Sequence, residues 1–138
     1  MAMQTWFIFA LAALVLWWVW GLFPKLATNY LRPASVFVFS GIGSVLVLIV
    51  VLAFMNFRPD LHPKGVGLAL VAGILGTVAT IPFLYAISKG KASVVVPLAS
   101  LYPVVTIVLA FLILREPMTL KQGAGIVLAL IALLLFAL

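Results

Sequence analysis

Five long apolar runs fill almost all of this 138-residue chain, and they limit its fold more than any other feature. A helix needs about 20 predominantly apolar residues to cross a hydrocarbon core roughly 30 Å thick. The runs fall at residues 5–28, 33–56, 65–88, 93–114 and 120–138, with short polar punctuation between them. They are continuous rather than alternating, which argues against the strands of a membrane barrel, where lipid-facing and lumen-facing residues alternate. The expected architecture is an all-α integral membrane bundle of about five transmembrane helices. It forms a single transmembrane domain over 1–138, multi-pass in a plasma membrane or a bacterial inner membrane.

Composition agrees. Hydrophobic residues make up 67% of the chain and charged residues only 7%. A soluble domain carries roughly a quarter charged residues, so this chain has nothing to cover a water-facing surface. The net charge of +6 does not indicate nucleic acid as a partner, because the eight Lys and Arg form no patch or stripe. They sit in ones and twos at the ends of apolar runs, where juxtamembrane cations belong. The chain has no Cys, and its lone histidine, His62, lacks a partner for metal binding. No cofactor is implied. Met1 to Thr5 has no basic side chain and leads into a long, Trp-rich run. That run reads as a retained first span rather than a cleavable signal.

The connections are short, so consecutive helices lie antiparallel and adjacent. Pro33 suits the first position of the second helix, where a missing N–H costs nothing. Thr119 and Gln122 have the spacing of a capping box at the start of the fifth. Glu116, beside Arg115, reads as an interfacial ion-pair and capping residue. With five spans, one side of the membrane holds Arg58, Lys64, Arg115 and Lys121, and the other holds Lys25, Arg32, Lys89 and Lys91. The side richer in Lys and Arg normally faces the cytoplasm; an even count gives no strong preference. Either subtler cues select one topology, or both orientations insert and pair as an antiparallel dimer. The second case would build an inverted repeat, the plan of many transporters, from one sequence.

At about 100° per residue, Ala69, Gly73, Gly76, Thr77, Thr80 and Ser88 share roughly a third of the third helix. Ser40, Gly43 and Ser44 share a face of the second, and Ser93, Pro97 and Ser100 share one on the fourth. Trp6, Ala10, Ala13, Trp17, Trp20 and Gly21 align on the first. Small residues let helix backbones approach, and hydroxyls can bond a neighbouring helix; the same residues can also line a polar path. Pro82, Pro97 and Pro103 lie inside spans, where proline frees a carbonyl and kinks the axis. Interrupted helices of this kind point to transport sites. Trp6 is placed as an interfacial anchor. Trp17 and Trp20 lie deeper and either pack between helices or wall a cavity, while Trp18 lies on another face.

No Asp, Glu, Lys, Arg or His lies deep in any span. Such groups usually mark proton relays and charge-coupled transport. No nucleophile–base pair, metal-ligand cluster or phosphate loop appears, so the chain does not read as an enzyme.

Three stretches together resemble one repeat of the EamA-like branch of the drug/metabolite transporter superfamily. The first is Trp20-Gly21 with Lys25 a short way on, then Pro33 opening the next span. The second runs from Ala86-Ile87-Ser88-Lys89-Gly90-Lys91-Ala92-Ser93 into Pro97-Leu98-Ala99-Ser100-Leu101-Tyr102-Pro103-Val104. The third is Leu114-Arg115-Glu116-Pro117-Met118-Thr119-Leu120-Lys121-Gln122, followed by Gly123 and Gly125. It is similar to the family's Gly-Glu-x-x-Thr junction, with Arg115 where glycine often stands. The second span also lacks the arginine often found early in that helix and has Phe37, Phe39 and Ser40 there.

The resemblance implies a chain equivalent to one half of a ten-helix inverted-repeat transporter, completed by a second copy or a related partner. The expected function is export or facilitated movement of a small neutral or zwitterionic metabolite by an oligomer, an antiparallel homodimer in the lipid bilayer. Trp17, Trp20, Thr77, Thr80, Ser100 and Tyr102 are the substrate-path candidates. Tyr102 faces away from Ser100 on an unbroken helix, and the Pro97 and Pro103 kinks would re-aim it. The alternative is a non-transporting membrane subunit or scaffold, packing on a larger complex through its small-residue faces.

Overall fold

The computed structural model describes residues 5–115 and 119–137, all helix and short turns, with no strand among them. The helices are α1 (Thr5–Thr28), α2 (Pro33–Phe54), α3 (Pro63–Lys89), α4 (Ala92–Ala99), α5 (Tyr102–Leu109) and α6 (Leu120–Ala137), with a short π-helix over Ala110–Leu114. Four segments are long and apolar enough to cross a bilayer: Thr5–Thr28, Pro33–Phe54, Pro63–Lys89 and Ala92–Leu114. The 18 residues of α6 give about 27 Å of helix at 1.5 Å per residue, close to the thickness of the hydrocarbon. The chain is an all-α membrane protein whose first four apolar runs coincide with the long helical segments. The expected role of Glu116 lies outside the described residues.

Helix ends follow local chemistry. Helix α2 stops at Phe54 rather than at residue 56, because Asn56 and Phe57 both turn left-handed, with φ of 50° and 56°. Asparagine is among the few residues that visit this region routinely. Helix α3 starts two residues earlier than the apolar run, since Pro63 is accepted at a first helical position. His62 Nδ1 accepts the Gly65 N–H at 3.3 Å and serves as the N-cap. At α6 the expected capping box is formed. Gln122 N–H donates to Thr119 Oγ1 at 3.3 Å, and Thr119 N–H donates back to Gln122 Oε1 at 2.8 Å.

The fourth apolar run is one continuous segment in sequence but two helices in structure. Pro103 has no N–H for the Ala99 carbonyl, and its ring crowds that carbonyl. Helix α4 therefore ends at Ala99 and α5 starts at Tyr102, with Pro103 in its first turn. Pro82 lies inside α3, which runs through it unbroken. After the π-helix, Arg115 takes φ 55°, a conformation that glycine adopts freely and other residues adopt at a cost.

By contacts the chain forms two units, Met1–Lys89 and Gly90–Leu138. In the first, α3 packs against both α1 and α2. Four described residues are buried: Pro24, Val36, Leu84 and Ile87. All belong to this unit, and all lie where α1 ends, α2 begins and α3 ends. The rest of these helices is broadly exposed, with Phe9 at 69%, Val47 at 64% and Leu68 at 73%. Apolar faces this extensive suit lipid or a partner surface rather than water. In the second unit α4 packs against α6.

Candidate functional site

Close packing at one end of the first unit leaves a groove between its three helices. The groove has a volume of about 970 Å³. Trp20, Phe23 and Pro24 line it from α1; Phe37, Phe39, Ser40, Gly43 and Ser44 from α2; Gly73, Gly76, Thr77 and Thr80 from α3. No Lys, Arg, His, Asp or Glu is among its lining residues. Trp20 also stacks on Phe83 of α3, with ring centroids 5.6 Å apart and planes at 19°. Its indole thus does both things open to it from sequence: one contact packs α1 on α3, and the ring also walls the groove.

The glycines here do not hold helices together within the first unit. A Cβ added at Gly41, Gly43, Gly73 or Gly76 would meet nothing within 4 Å. Helix–helix packing through small residues requires backbones close enough for such a Cβ to touch. In this unit these glycines widen an open space instead.

The hydroxyls in the groove all bond back onto their own helices. Ser40 Oγ donates to the Val36 carbonyl at 2.7 Å and Ser44 Oγ to the Ser40 carbonyl at 3.1 Å. Thr77 Oγ1 donates to the Gly73 carbonyl at 2.7 Å and Thr80 Oγ1 to the Gly76 carbonyl at 2.9 Å. This satisfies the side chain without a partner helix and leaves oxygen lone pairs toward the groove.

The end of the groove is fixed by Lys25. Its Nζ donates to the Ile87 carbonyl at 3.0 Å, in the last turn of α3, where carbonyls lack intrahelical partners. An ammonium there also opposes the negative end of the helix dipole. Thr28 Oγ1 closes the last turn of α1 by donating to the Lys25 carbonyl at 3.0 Å.

Of the six path candidates, the groove gathers Trp20, Thr77 and Thr80. Trp17 does not line it and is 62% exposed. Ser100 and Tyr102 belong to the second unit, at the break between α4 and α5. There Ser100 Oγ donates to the Val96 carbonyl at 2.8 Å, and Tyr102 is 59% exposed. Sequence reasoning missed Pro24, a buried proline inside α1, and the contribution of Phe23 to the wall. Pro24 falls inside the expected first span, and nothing in the sequence marks this proline as one of the buried residues.

Residues 4–138 match the EamA-like transporter family. The chain belongs to that family. It is also 33% identical over 135 residues to an uncharacterised protein of Methanocaldococcus jannaschii, with 98% of each chain covered. No solved structure matches it. EamA-like proteins are membrane transporters.

Proposed function

We propose that this chain is a transporter, an exporter or facilitator, of a small neutral or zwitterionic metabolite. The observation that carries this reading is the groove. It is large enough for a small solute, has aromatic and hydroxyl-bearing walls, and contains no charged side chain. A bare ion entering it would lose its hydration without meeting a counter-charge, which disfavours ions as cargo. No catalytic step is assigned to it.

The working form is an antiparallel homodimer in a plasma or bacterial inner membrane. The two units of each copy act as one membrane domain, and the second copy supplies the inverted half. The even split of Lys and Arg between the two sides supports both orientations being inserted. In the second unit, the interruption of the fourth span at Pro103 supports Ser100 and Tyr102 as path residues, since broken helices mark transport sites; in the first unit, Trp17 would lie at the margin of the groove.

Flux into liposomes containing the purified protein alone tests the reading. Thr80→Val with Ser100→Ala should reduce flux several-fold at unchanged membrane abundance. A stable complex with other membrane proteins and no flux would favour the scaffold alternative instead.

A further inference from the structure

The transport reading leaves open which end of a solute the groove holds, and the hydroxyl bonding gives an answer. A hydroxyl has one proton and two lone pairs. At Ser40, Ser44, Thr77 and Thr80 the proton lies on the carbonyl four residues back, at 2.7–3.1 Å. Four groove oxygens are therefore left as acceptors. Pro24 adds to the imbalance, because it supplies no N–H to the Trp20 carbonyl four residues before it. Among the groove's lining side chains the only N–H is the Trp20 indole, which has no hydrogen-bond partner among the described residues.

Resting on the transporter reading above, we infer that this groove selects solutes through hydrogen-bond donors. The group held is the N–H of a primary amide, or the ammonium of a zwitterion that carries its own counter-charge, on a flat apolar body that packs against Trp20 and the groove phenylalanines. That ammonium would gain as well from the aromatic faces. A carboxylate or phosphate brings acceptors to acceptors. It binds only at the Trp20 indole N–H or by turning a hydroxyl proton off its helix carbonyl, which gives up one hydrogen bond for each hydroxyl turned. For a zwitterion, the ammonium is the end seated here.

The test is binding to the full chain in lipid nanodiscs, using four tritiated solutes that share a phenyl body. These are benzamide, phenylacetamide, N,N-dimethylphenylacetamide and phenylacetate. Benzamide and phenylacetamide should bind at least tenfold more tightly than the dimethylamide, which has no N–H, and than phenylacetate. Thr77→Val with Thr80→Val should reduce that preference to within about twofold, whereas Thr77→Ser with Thr80→Ser, which keeps both oxygens, should preserve it. Equal or tighter binding of the dimethylamide or phenylacetate overturns the donor rule and leaves the solute path standing. A preference that survives the valine pair also overturns it, because the selecting oxygens then lie elsewhere. Absence of saturable binding by all four overturns the donor rule; absence of liposome flux for any solute would remove the transporter reading with it.

Discussion

Filling the groove at its glycines separates a solute path from a packing seam. Gly73 and Gly76 lie one helical turn from the hydroxyls they support, and neither has any atom within 4 Å of an added Cβ. A leucine side chain brings four carbons, each about as bulky as a water's ~30 Å³ share of the liquid. Gly73→Leu with Gly76→Leu therefore occupies on the order of 240 Å³ by that measure, against a groove of about 970 Å³. Removing glycine from a helix interior also contributes up to about 1 kcal/mol per site in helix propensity. The double variant should express, insert and melt at least as well as the parent. Its liposome flux should fall tenfold or more, and Gly73→Ala with Gly76→Ala should give an intermediate value. The assay is flux normalised to reconstituted protein, with the thermal midpoint in detergent read alongside. If abundance and midpoint collapse while the residual protein keeps its specific flux, the glycines form a seam between packed helices, and the groove assignment fails.

Other perturbations test single contacts. Lys25→Met removes the ammonium from the Ile87 carbonyl; a hydrogen bond to a charged group contributes roughly 1.5–3 kcal/mol, and partial exposure of Lys25 places the loss near the lower figure. The detergent midpoint should fall by several degrees, and an unchanged midpoint would mean that water replaces the bond. Arg115→Gly should raise the midpoint, since a left-handed non-glycine residue costs about 1–2 kcal/mol; a lower midpoint would show that the Arg115 side chain matters more than its backbone. Thr119→Ala should lower it by about 1 kcal/mol through loss of the cap on α6, and Thr119→Ser should not. For orientation, a periplasm-active enzyme and a cytoplasm-active fluorescent protein, fused separately to Leu138 in a bacterial host, should both report strongly. A single signal would eliminate the dual-topology dimer.

Most of the helical framework could be read from the sequence because lipid imposes one dominant rule, an apolar run of bilayer length. Helix α1 matches its run from Thr5 to Thr28, and α6 starts where Thr119 and Gln122 cap it. Departures occur where backbone geometry rather than hydropathy decides. Left-handed Asn56 and Phe57 shorten α2, and Pro103 divides the fourth run. Hydropathy does not register either effect. The groove was partly legible: the Ser40, Gly43 and Ser44 face and the Gly73 to Thr80 stripe are visible as periodic small residues. Periodicity cannot distinguish a face that touches a neighbour from one that lines a gap, because both need small side chains. Three-dimensional spacing around Gly73 and Gly76 makes that distinction, and so does the outward turn of Trp17 away from the groove that Trp20 walls.

The concentration of buried residues at one end of the first unit makes that unit a lever. Ile87, beside the Lys25 contact, and Pro63, at the far end of α3, are separated by 24 residues, or about 36 Å of helix. A tilt of about 10° at the packed end carries Pro63 through roughly 6 Å, while Leu84 and Ile87 hardly move. A rearrangement around Pro24 and Leu84 that tilted α3 by that amount would thus be magnified along the helix into a displacement wider than a water molecule.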